Sequence, residues 1–206
     1  MNGVLIDGIM YDLPALEKDC WLRLLNASLH YKDPLHNPVV ANVGAQGINQ
    51  RTVVLRKVNT EKKQLCFHTD TRSGKWNELQ INPAISWLFY NPAGRMQIRL
   101  GGIASLHKVD EIADAAWQNS TMSSRKIYLG ENGPSSITAS PVSGLPAAFE
   151  SSDPTTAESE AGRKNFGIVS TQINWMEWLW LNSKGHRRAS FKYNPDNSFD
   201  ATWLVP

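Results

Sequence analysis

The stretch over residues 51–83 constrains the fold of this chain more than any other part of it. It reads RTVVLRKVNTEKKQLCFHTDTRSGKWNELQINP. A β-branched run over 53–58 and an alternating run over 64–69 are separated by a polar turn, which is typical of two strands joined by a short loop. Ser73 then precedes a short helical pattern that Pro83 ends. The pattern predicts a strand, a turn, a second strand and a helix.

The start of that helix has the chemistry of an anion cradle. Ser73 is a good N-cap residue, and Gly74 allows a ligand to approach the backbone closely. Arg72 and Lys75 place cations beside the N–H groups of a helix N-terminus, where anions bind in many proteins. Taken alone, the same residues also suit a capped surface helix with solvated basic side chains.

Length and composition predict one domain with a substantial core. The chain has 206 residues, 41% of them hydrophobic, and eight tryptophans. We expect a single domain over residues 1–206, with an irregular loop or insertion at about 130–165, where Gly, Pro, Ser, Thr, Ala and Glu predominate. A net charge of +2 gives no global electrostatic footprint for nucleic acid, so no nucleic-acid partner is expected.

The cysteines and the N-terminus favour a cytoplasmic protein. Cys20 and Cys66 are too few for a disulfide framework and lack metal-ligand spacing, so we expect reduced thiols and no metal site. The first residues lack the basic region and apolar run of a secretory signal. No window approaches the roughly 18 apolar residues of a membrane span, and no membrane association is expected.

The first half of the chain predicts one helix followed by strands. An amphipathic helix is expected over 14–31, and a hairpin is expected from a strand over 37–44 and the strand that begins at Arg51. The apolar run over 84–90 predicts a strand covered on both faces. Residues 95–106 alternate, which places Gln97 and Arg99 on one face of a strand.

The second half predicts short helices, a long loop and more strands. Helices are expected over 110–120 and 123–129, and a loop over 130–162. Four further strands are expected, over 166–171, 176–181, 187–193 and 199–204. An antiparallel barrel closed around one core, mainly β with flanking helices, is the economical architecture.

Four short motifs occur in one order along the chain. They are Arg51-Thr52-Val53-Val54-Leu55-Arg56, Phe67-His68-Thr69, Ser73-x-Lys75 and Gln97-x-Arg99-x-x-Gly102. Together they resemble the pyridoxamine 5′-phosphate oxidase family, and most of all its oxidase-related branch, whose members bind flavin mononucleotide (FMN). The resemblance covers most of the chain. It implies an antiparallel FMN-binding split β-barrel and a homodimer with FMN at the subunit interface.

The resemblance also implies a set of flavin contacts. Ser73 and Lys75 fall on the family's phosphate clasp, and Gly74 replaces its middle arginine, so Arg72 is the candidate for supplying the missing charge. Gln97 matches a glutamine that hydrogen-bonds the flavin ring, and Arg188 or its neighbour Arg187 matches a late FMN-contacting arginine. The implied cofactor residues are Arg51, Thr52, Val53, Val54, Arg56, His68, Thr69, Arg72, Ser73, Lys75, Gln97 and Arg188.

The substrate residues of the true oxidases are only partly retained. A Tyr, an Arg and a Ser that hold the substrate phosphate in the family fall here on Trp117, Thr121 and Arg125. A late Arg-x-His-x-Arg run falls on Lys184 to Arg188, which makes His186 the candidate catalytic residue, with an exposed hairpin histidine as the alternative. Trp117, Arg125, Lys184 and His186 are the implied substrate residues, and these changes indicate a substrate other than pyridoxamine 5′-phosphate.

Three functions follow from the resemblance. The first is an FMN-dependent oxidoreductase of the pyridoxamine 5′-phosphate oxidase-like type that acts on an unidentified small molecule. The second is a flavin-binding protein without turnover, a carrier or a sensor. The third is a related barrel that binds haem, with His68, His107 or His186 as axial ligand. The retained phosphate clasp argues against haem, which has no phosphate.

Overall fold

The computed structural model describes residues 3–6 and 8–206, and the chain divides into two compact units. The first unit contains the chain up to Phe67 together with residues 83–105 and 170–206. The second contains residues 68–82 and 106–169.

Nearly all of the described strands belong to one sheet, and all of its pairs with a defined register are antiparallel. Its strands are β3 (Val39–Gly44), β4 (Gly47–Thr52), β5 (Lys57–Asn59), β6 (Gln64–Asp70), β7 (Ala84–Asn91), β8 (Met96–His107), β9 (Phe166–Trp180), β10 (Arg187–Tyr193) and β11 (Phe199–Leu204). Their order is β11-β10-β9-β8-β7-β3-β4, and β6 pairs with both β5 and β9. The antiparallel character expected from the sequence is confirmed.

A small hairpin of β1 (Val4–Ile6) and β2 (Ile9–Tyr11) precedes the main sheet. Gly8 adopts a φ of 83°, a backbone conformation that glycine reaches without steric cost. This hairpin was not predicted, although the Asp-Gly pair at positions 7 and 8 is a common hairpin turn signal.

The register of the sheet separates a buried face from an exposed one. Trp87 of β7 lies between Val40 of β3 and Leu100 of β8, and all three side chains are buried. The neighbouring Leu88 of β7 lies opposite Arg99 of β8, and both are exposed. Because successive strand residues point to opposite faces, one face forms the core of the first unit and the other faces outward.

The predicted N-terminal helix is confirmed as α1 (Leu13–Leu29). Asp12 caps it, with its Oδ1 accepting a hydrogen bond of 2.8 Å from the backbone N–H of Ala15. Leu16, Cys20 and Leu24 recur every four residues and are fully buried, so one stripe of the helix belongs to the core.

The second unit has its own helices and an aromatic core. Its helices are α2 (Gly74–Ile81), α3 (Glu111–Gln118), α4 (Met122–Lys126) and α5 (Thr156–Ser159), with 3₁₀ turns at Ile127–Leu129, Ala147–Phe149 and Glu160–Asn165. Trp117, Tyr128 and Phe166 pack edge to face, with ring centroids 5.1 to 5.9 Å apart. All three rings are buried, so this unit has a core of its own.

Two strand predictions in the first half need correction. The strand at Arg51 ends at Thr52, and residues 53–56 are irregular up to β5. Val53 and Leu55 still donate backbone hydrogen bonds of 3.0 and 2.9 Å to Pro38 and His36, but Pro38 has no N–H to donate in return, so the ladder is incomplete there. β7 was expected to be covered on both faces, yet Leu88 and Tyr90 are 38% and 46% exposed.

Two predictions for the second half are also wrong in detail. The strands expected over 166–171 and 176–181 are one strand, β9, because Thr171 and Ile173 continue the buried face without a turn. The loop expected over 130–162 contains α5 at its end. Thr155 and Glu158 form a capping box there, and their spacing of three residues was the signal that the sequence analysis missed.

Candidate functional site

The predicted phosphate clasp is formed by the end of β6 and the start of α2, in the second unit. The ammonium of Lys75 donates hydrogen bonds of 2.9 Å to Thr69 Oγ1 and 3.2 Å to Ser73 Oγ. The two hydroxyl oxygens lie 3.4 Å apart, and both side chains are buried. The structure therefore brings together Ser73 and Lys75, which the resemblance assigned to the phosphate clasp, and Thr69, which it assigned to the flavin.

Ser73 occupies the N-cap position of α2 but does not cap the helix with its side chain. Its Oγ instead donates a hydrogen bond of 2.7 Å to the backbone carbonyl of Asp70, and its backbone N–H donates to the same carbonyl at 3.1 Å. Because its proton is committed to Asp70, the hydroxyl oxygen faces Lys75 as an acceptor. The N-cap position was predicted correctly, and the capping hydrogen bond was not.

The backbone around the clasp is held by a close approach that sequence reasoning missed. A Cβ atom on Gly167 would lie 2.6 Å from Thr71 Cγ2 and 2.5 Å from the ring of Trp76. The N–H of Thr71 also donates a hydrogen bond of 2.8 Å to the carbonyl of Asn165. Only glycine fits at position 167, and its neighbours fix the turn between β6 and α2.

The donors of the clasp suit a phosphate monoester. The Lys75 ammonium and the Ser73 hydroxyl lie at the start of an eight-residue helix, whose dipole favours an anion, and Thr69 lies near the end of the preceding strand. Gly74 is exposed, and a Cβ atom there would meet only Glu78 Oε1, at 3.9 Å. A ligand can therefore approach the backbone at this position, as FMN phosphate requires.

Arg72 belongs to the clasp sequence, but its guanidinium is bonded elsewhere in the second unit. Nη2 and Nε donate to the carboxylate of Asp70 at 2.7 and 3.0 Å. Nη1 donates to the carbonyls of Gly130 and Glu131 at 2.9 and 3.1 Å. The hydrogen bonds to Asp70 raise the pKa of Arg72 above its ordinary value. In this arrangement the charge of Arg72 faces Asp70 and not the hydroxyls of the clasp.

His68 precedes the clasp on β6 and is half-buried. Its ring packs edge-on against Phe166, with centroids 4.9 Å apart. The alternation of β6 is as predicted, with Leu65 and Phe67 buried and Cys66 and His68 on the other face.

The predicted flavin residues at the start of the motif lie in the first unit. Arg51 on β4 donates a short hydrogen bond from Nη1 to Oδ1 of the buried Asn42 on β3. Thr52 and Arg56 are exposed, whereas Val53 and Val54 are half-buried in the irregular segment between β4 and β5. Arg51 is thus held to the β3–β4 hairpin by its bond to Asn42. Val53, Val54 and Arg56 lie in the irregular segment that follows β4.

The remaining flavin residues lie on the outward face of the sheet, also in the first unit. Gln97 and Arg99 share a face of β8, as predicted, and Gln97 is half-buried. Arg99 Nη1 and Arg188 Nη2 donate to the same oxygen, Glu177 Oε2, at 3.1 and 2.7 Å. Arg187, the alternative to Arg188, donates instead to the backbone carbonyl of His186 at 2.8 Å.

Two of the predicted substrate residues belong to the interior of the second unit. Arg125 is 4% exposed and Trp117 is 2% exposed. The guanidinium of Arg125 donates to Ser159 Oγ and Glu160 Oε1, both at 3.0 Å, and to the carbonyl of Trp117 at 3.0 Å. Its carbon lies 4.8 Å from the centroid of the Trp117 ring. These donors bind protein acceptors and hold α4 against α5.

The other two predicted substrate residues lie in the turn between β9 and β10. Lys184 and His186 are exposed, and the backbone N–H of Asn182 donates to His186 Nδ1 at 3.2 Å. Gly185 adopts a φ of 108°, which its lack of a side chain permits. The position of His186 agrees with the alternative of an exposed hairpin histidine.

The described residues also bear on metal binding, membrane insertion and thiol chemistry. No three His, Cys, Asp or Glu side chains gather into a metal-binding group within residues 3–6 and 8–206. In the same part of the chain, no helix is long and apolar enough to cross a bilayer. Cys20 and Cys66 are free thiols, and burial raises the pKa of both.

Known proteins resemble the chain in sequence and in structure. Residues 18–108 match the family model of the pyridoxamine 5′-phosphate oxidase FMN-binding domain. A pyridoxine/pyridoxamine 5′-phosphate oxidase of Chromobacterium violaceum is 25% identical over 168 residues, which cover 81% of this chain and 77% of that protein.

Two solved structures show the fold. A pyridoxamine 5′-phosphate oxidase-related, FMN-binding protein from Nostoc punctiforme matches with a TM-score of 0.71 and 22% identity, over 92% of this chain and 96% of that one. PhzG from Burkholderia lata, solved with tetrahydrophenazine-1-carboxylic acid, matches with a TM-score of 0.69 and 17% identity, over 98% of this chain and all of that one (100%).

Proposed function

Because the chain belongs to the pyridoxamine 5′-phosphate oxidase-related family of FMN-binding split barrels, with FMN as its cofactor, we propose that it is an FMN-dependent oxidoreductase acting on a small molecule. FMN supplies the electron-transfer and hydride-transfer chemistry of such enzymes. The protein must then hold the cofactor phosphate and orient the ring. The haem alternative loses its basis, since the family model is that of an FMN-binding domain.

One observation carries the proposal: the hydrogen bonds of Lys75 to Thr69 and Ser73. A phosphate dianion bound at these groups receives a charge-assisted hydrogen bond from the Lys75 ammonium, and the Ser73 hydroxyl donates to it only by giving up its hydrogen bond to the Asp70 carbonyl. The groups are held by the fold before a ligand arrives, so little side-chain entropy is lost on binding.

The visible absorption spectrum of the purified protein tests the proposal. We expect the bands of an oxidised flavin, which should bleach when NADH or NADPH is added without oxygen. A colourless protein that also fails to take up added FMN would overturn the proposal together with the assignment of the clasp.

A flavin-binding protein without turnover is the second candidate, and the burial of Arg125 favours it. The family's substrate phosphate site falls on Trp117 and Arg125, whose polar groups here bond to other residues of the second unit. A protein that stays yellow with both nicotinamide donors and with reduced ferredoxin, and binds FMN tightly, would favour a carrier or sensor over an enzyme.

We further propose a homodimer that holds FMN at the subunit interface, on the strength of the outward face of the sheet. Strand register places five exposed apolar side chains on that face: Val43, Ile48, Leu88, Tyr90 and Ile103. Each is 38% to 72% exposed, and exposed apolar side chains gathered on one sheet face are typical of interaction surfaces. Gln97 and Arg188, predicted to contact flavin, share this face.

Dilution tests the dimer. We expect ultracentrifugation to find a dimer that releases its flavin as it dissociates, and Leu88→Lys should shift both transitions to higher protein concentration. Lys18→Glu, on the exposed side of α1 and away from the sheet face, is the matched control for a charge change at the surface. A monomer that keeps its flavin would contradict the interface site.

A further inference from the structure

Arg72 joins the clasp loop to the segment over residues 130–144, which we call the strap. Its Nη1 donates to two successive strap carbonyls, those of Gly130 and Glu131, at 2.9 and 3.1 Å. Its Nε and Nη2 donate to the carboxylate of Asp70, at 3.0 and 2.7 Å. One side chain therefore bridges two parts of the second unit that are about 60 residues apart along the chain.

The strap is shaped to fit this side chain. A Cβ atom on Gly133 would lie 3.1 Å from Arg72 Cβ, so the strap backbone packs directly on the arginine stem. A Cβ atom on Gly130 would lie 2.4 Å from the carbonyl oxygen of Gly144, so the two ends of the strap touch. The strap is thus closed at its base, and Arg72 fastens it to the clasp loop.

Asp70 connects this fastening to the clasp hydroxyls. Its carboxylate also accepts the backbone N–H of Arg72 at 2.8 Å. Its backbone carbonyl accepts both the hydroxyl and the N–H of Ser73, at 2.7 and 3.1 Å. Since Ser73 Oγ in turn accepts from Lys75, a displacement of Arg72 acts on the phosphate-binding groups through one residue.

We propose that Arg72 is a positioning residue that couples phosphate binding at the clasp to closure of the strap. The inference rests on the proposed function, because it takes the clasp to be the FMN phosphate site. Coupling free energies are reciprocal, so a bound phosphate should tighten the strap, and a fastened strap should tighten FMN. Arg72 then does not substitute for the family arginine that Gly74 replaces. Its guanidinium binds the strap and not the phosphate.

A charge-neutralising change at Asp70 separates the two roles of Arg72. If Arg72 bonds the FMN phosphate, Asp70→Asn releases it and removes a negative charge, and FMN should bind more tightly. If Arg72 is a positioning residue, the same change weakens the hold of Asp70 on the Arg72 guanidinium. The strap and the loop that carries Ser73 then loosen, and FMN should bind more weakly. The sign of the affinity change decides between them.

The experiment uses the full chain stripped of flavin and titrated with FMN by fluorescence quenching. The variants are Asp70→Asn, Arg72→Gln and Arg72→Lys; Arg163→Gln is the matched control, since Arg163 pairs with Asp114 elsewhere in the second unit. The second readout is the rate at which a glutamate-specific protease cleaves after Glu131 in the strap. We expect all three test variants to weaken FMN binding and speed cleavage by about tenfold, a typical size for coupling, and the control to change neither.

The outcomes are distinguishable. Bound FMN should also slow cleavage of the wild-type strap. Tighter FMN binding by Asp70→Asn, or unchanged cleavage in both Arg72 variants, overturns the inference. Arg72→Lys keeps the charge, so full retention of affinity by this variant alone would make Arg72 a simple phosphate cation and overturn the inference as well. If the wild-type chain binds no FMN, the proposed function fails, and the cleavage rates still test the fastening.

Discussion

Lys63 and Lys75 are both held by other side chains, but in different chemical surroundings. In the first unit, Lys63 donates 2.8 Å to Glu17 Oε1, and its ammonium lies 5.1 Å from the ring centroid of Trp21 and 5.5 Å from that of Tyr193. In the second unit, Lys75 donates to the hydroxyls of Thr69 and Ser73.

The difference separates a structural cation from a binding one. Glu17 accepts hydrogen bonds from both Lys63 and Tyr193, and Trp21 donates to the Tyr193 hydroxyl at 2.7 Å. The charge of Lys63 is therefore paired with a carboxylate inside the first unit. Lys75 instead donates to two hydroxyls at the predicted phosphate position, where its ammonium suits a phosphate oxygen. The same substitution should therefore lower the stability of the protein at Lys63 and its affinity for FMN at Lys75.

The largest effect is expected from Lys63→Met. It leaves the Glu17 carboxylate, whose side chain is 6% exposed, without its cation, and breaking such a pair from one side costs about 3 to 5 kcal/mol. Urea unfolding of the flavin-free chain should show this loss. The double variant Glu17→Gln with Lys63→Met should recover part of it, and a loss under about 1 kcal/mol in the single variant would show that the cluster is not structural.

Lys75→Met should lower the affinity for FMN and leave the stability of the flavin-free chain nearly unchanged. Loss of a charge-assisted contact to the phosphate should weaken FMN binding by about 1.5 to 3 kcal/mol, or roughly 10- to 100-fold in Kd. The free energy of unfolding without flavin should change by less than about 1 kcal/mol. Equal FMN affinity in the variant and the wild type would place the phosphate elsewhere.

Two buried groups of the first unit, Cys20 and Tyr193, should lower the stability of the protein at alkaline pH. Burial, which is the largest cause, raises the pKa of both Cys20 and Tyr193 beyond their ordinary values of 9.0 and 10.0. Above those values the unfolded chain loses protons that the folded chain keeps, so stability falls as pH rises, by about 1.4 kcal/mol per pH unit for each group.

Urea midpoints between pH 8 and pH 10.5 measure this slope. Cys20→Ala should flatten it above pH 9, where the ordinary thiol ionises. The same slope in Cys20→Ala and the wild type would mean that other groups control the alkaline limit.

The smallest effect is a gain at Gly74. Gly74→Arg restores the middle arginine of the clasp at a position with open space for a side chain, and FMN should bind about three- to tenfold more tightly. Gly74→Ala is the control, because replacing glycine in a helix stabilises it by about 0.5 to 1 kcal/mol without adding a charge. Affinity that rises equally in both variants would assign the gain to the helix and not to the clasp.

Much of the clasp was predictable because it is local. Thr69, Ser73 and Lys75 lie within seven residues, at the junction of a strand and a helix that periodicity and Pro83 already define. The placement of Arg125 was not predictable in this way. The family resemblance assigned it to substrate, whereas its partners Ser159 and Glu160 are 34 and 35 residues away. They come from α5 and the 3₁₀ turn after it, in a segment that was predicted to be a loop.

The sequence by itself determined the alternation of the strands, the ends of α1 and α2 and the order of the flavin motifs, because each depends on neighbours within a few residues. The tertiary structure decided which partner each charged side chain has. Glu17 meets Lys63 and Tyr193 across 46 and 176 residues, and Arg72 meets the strap across 58. Such pairings depend on how distant segments pack, and no local periodicity encodes them.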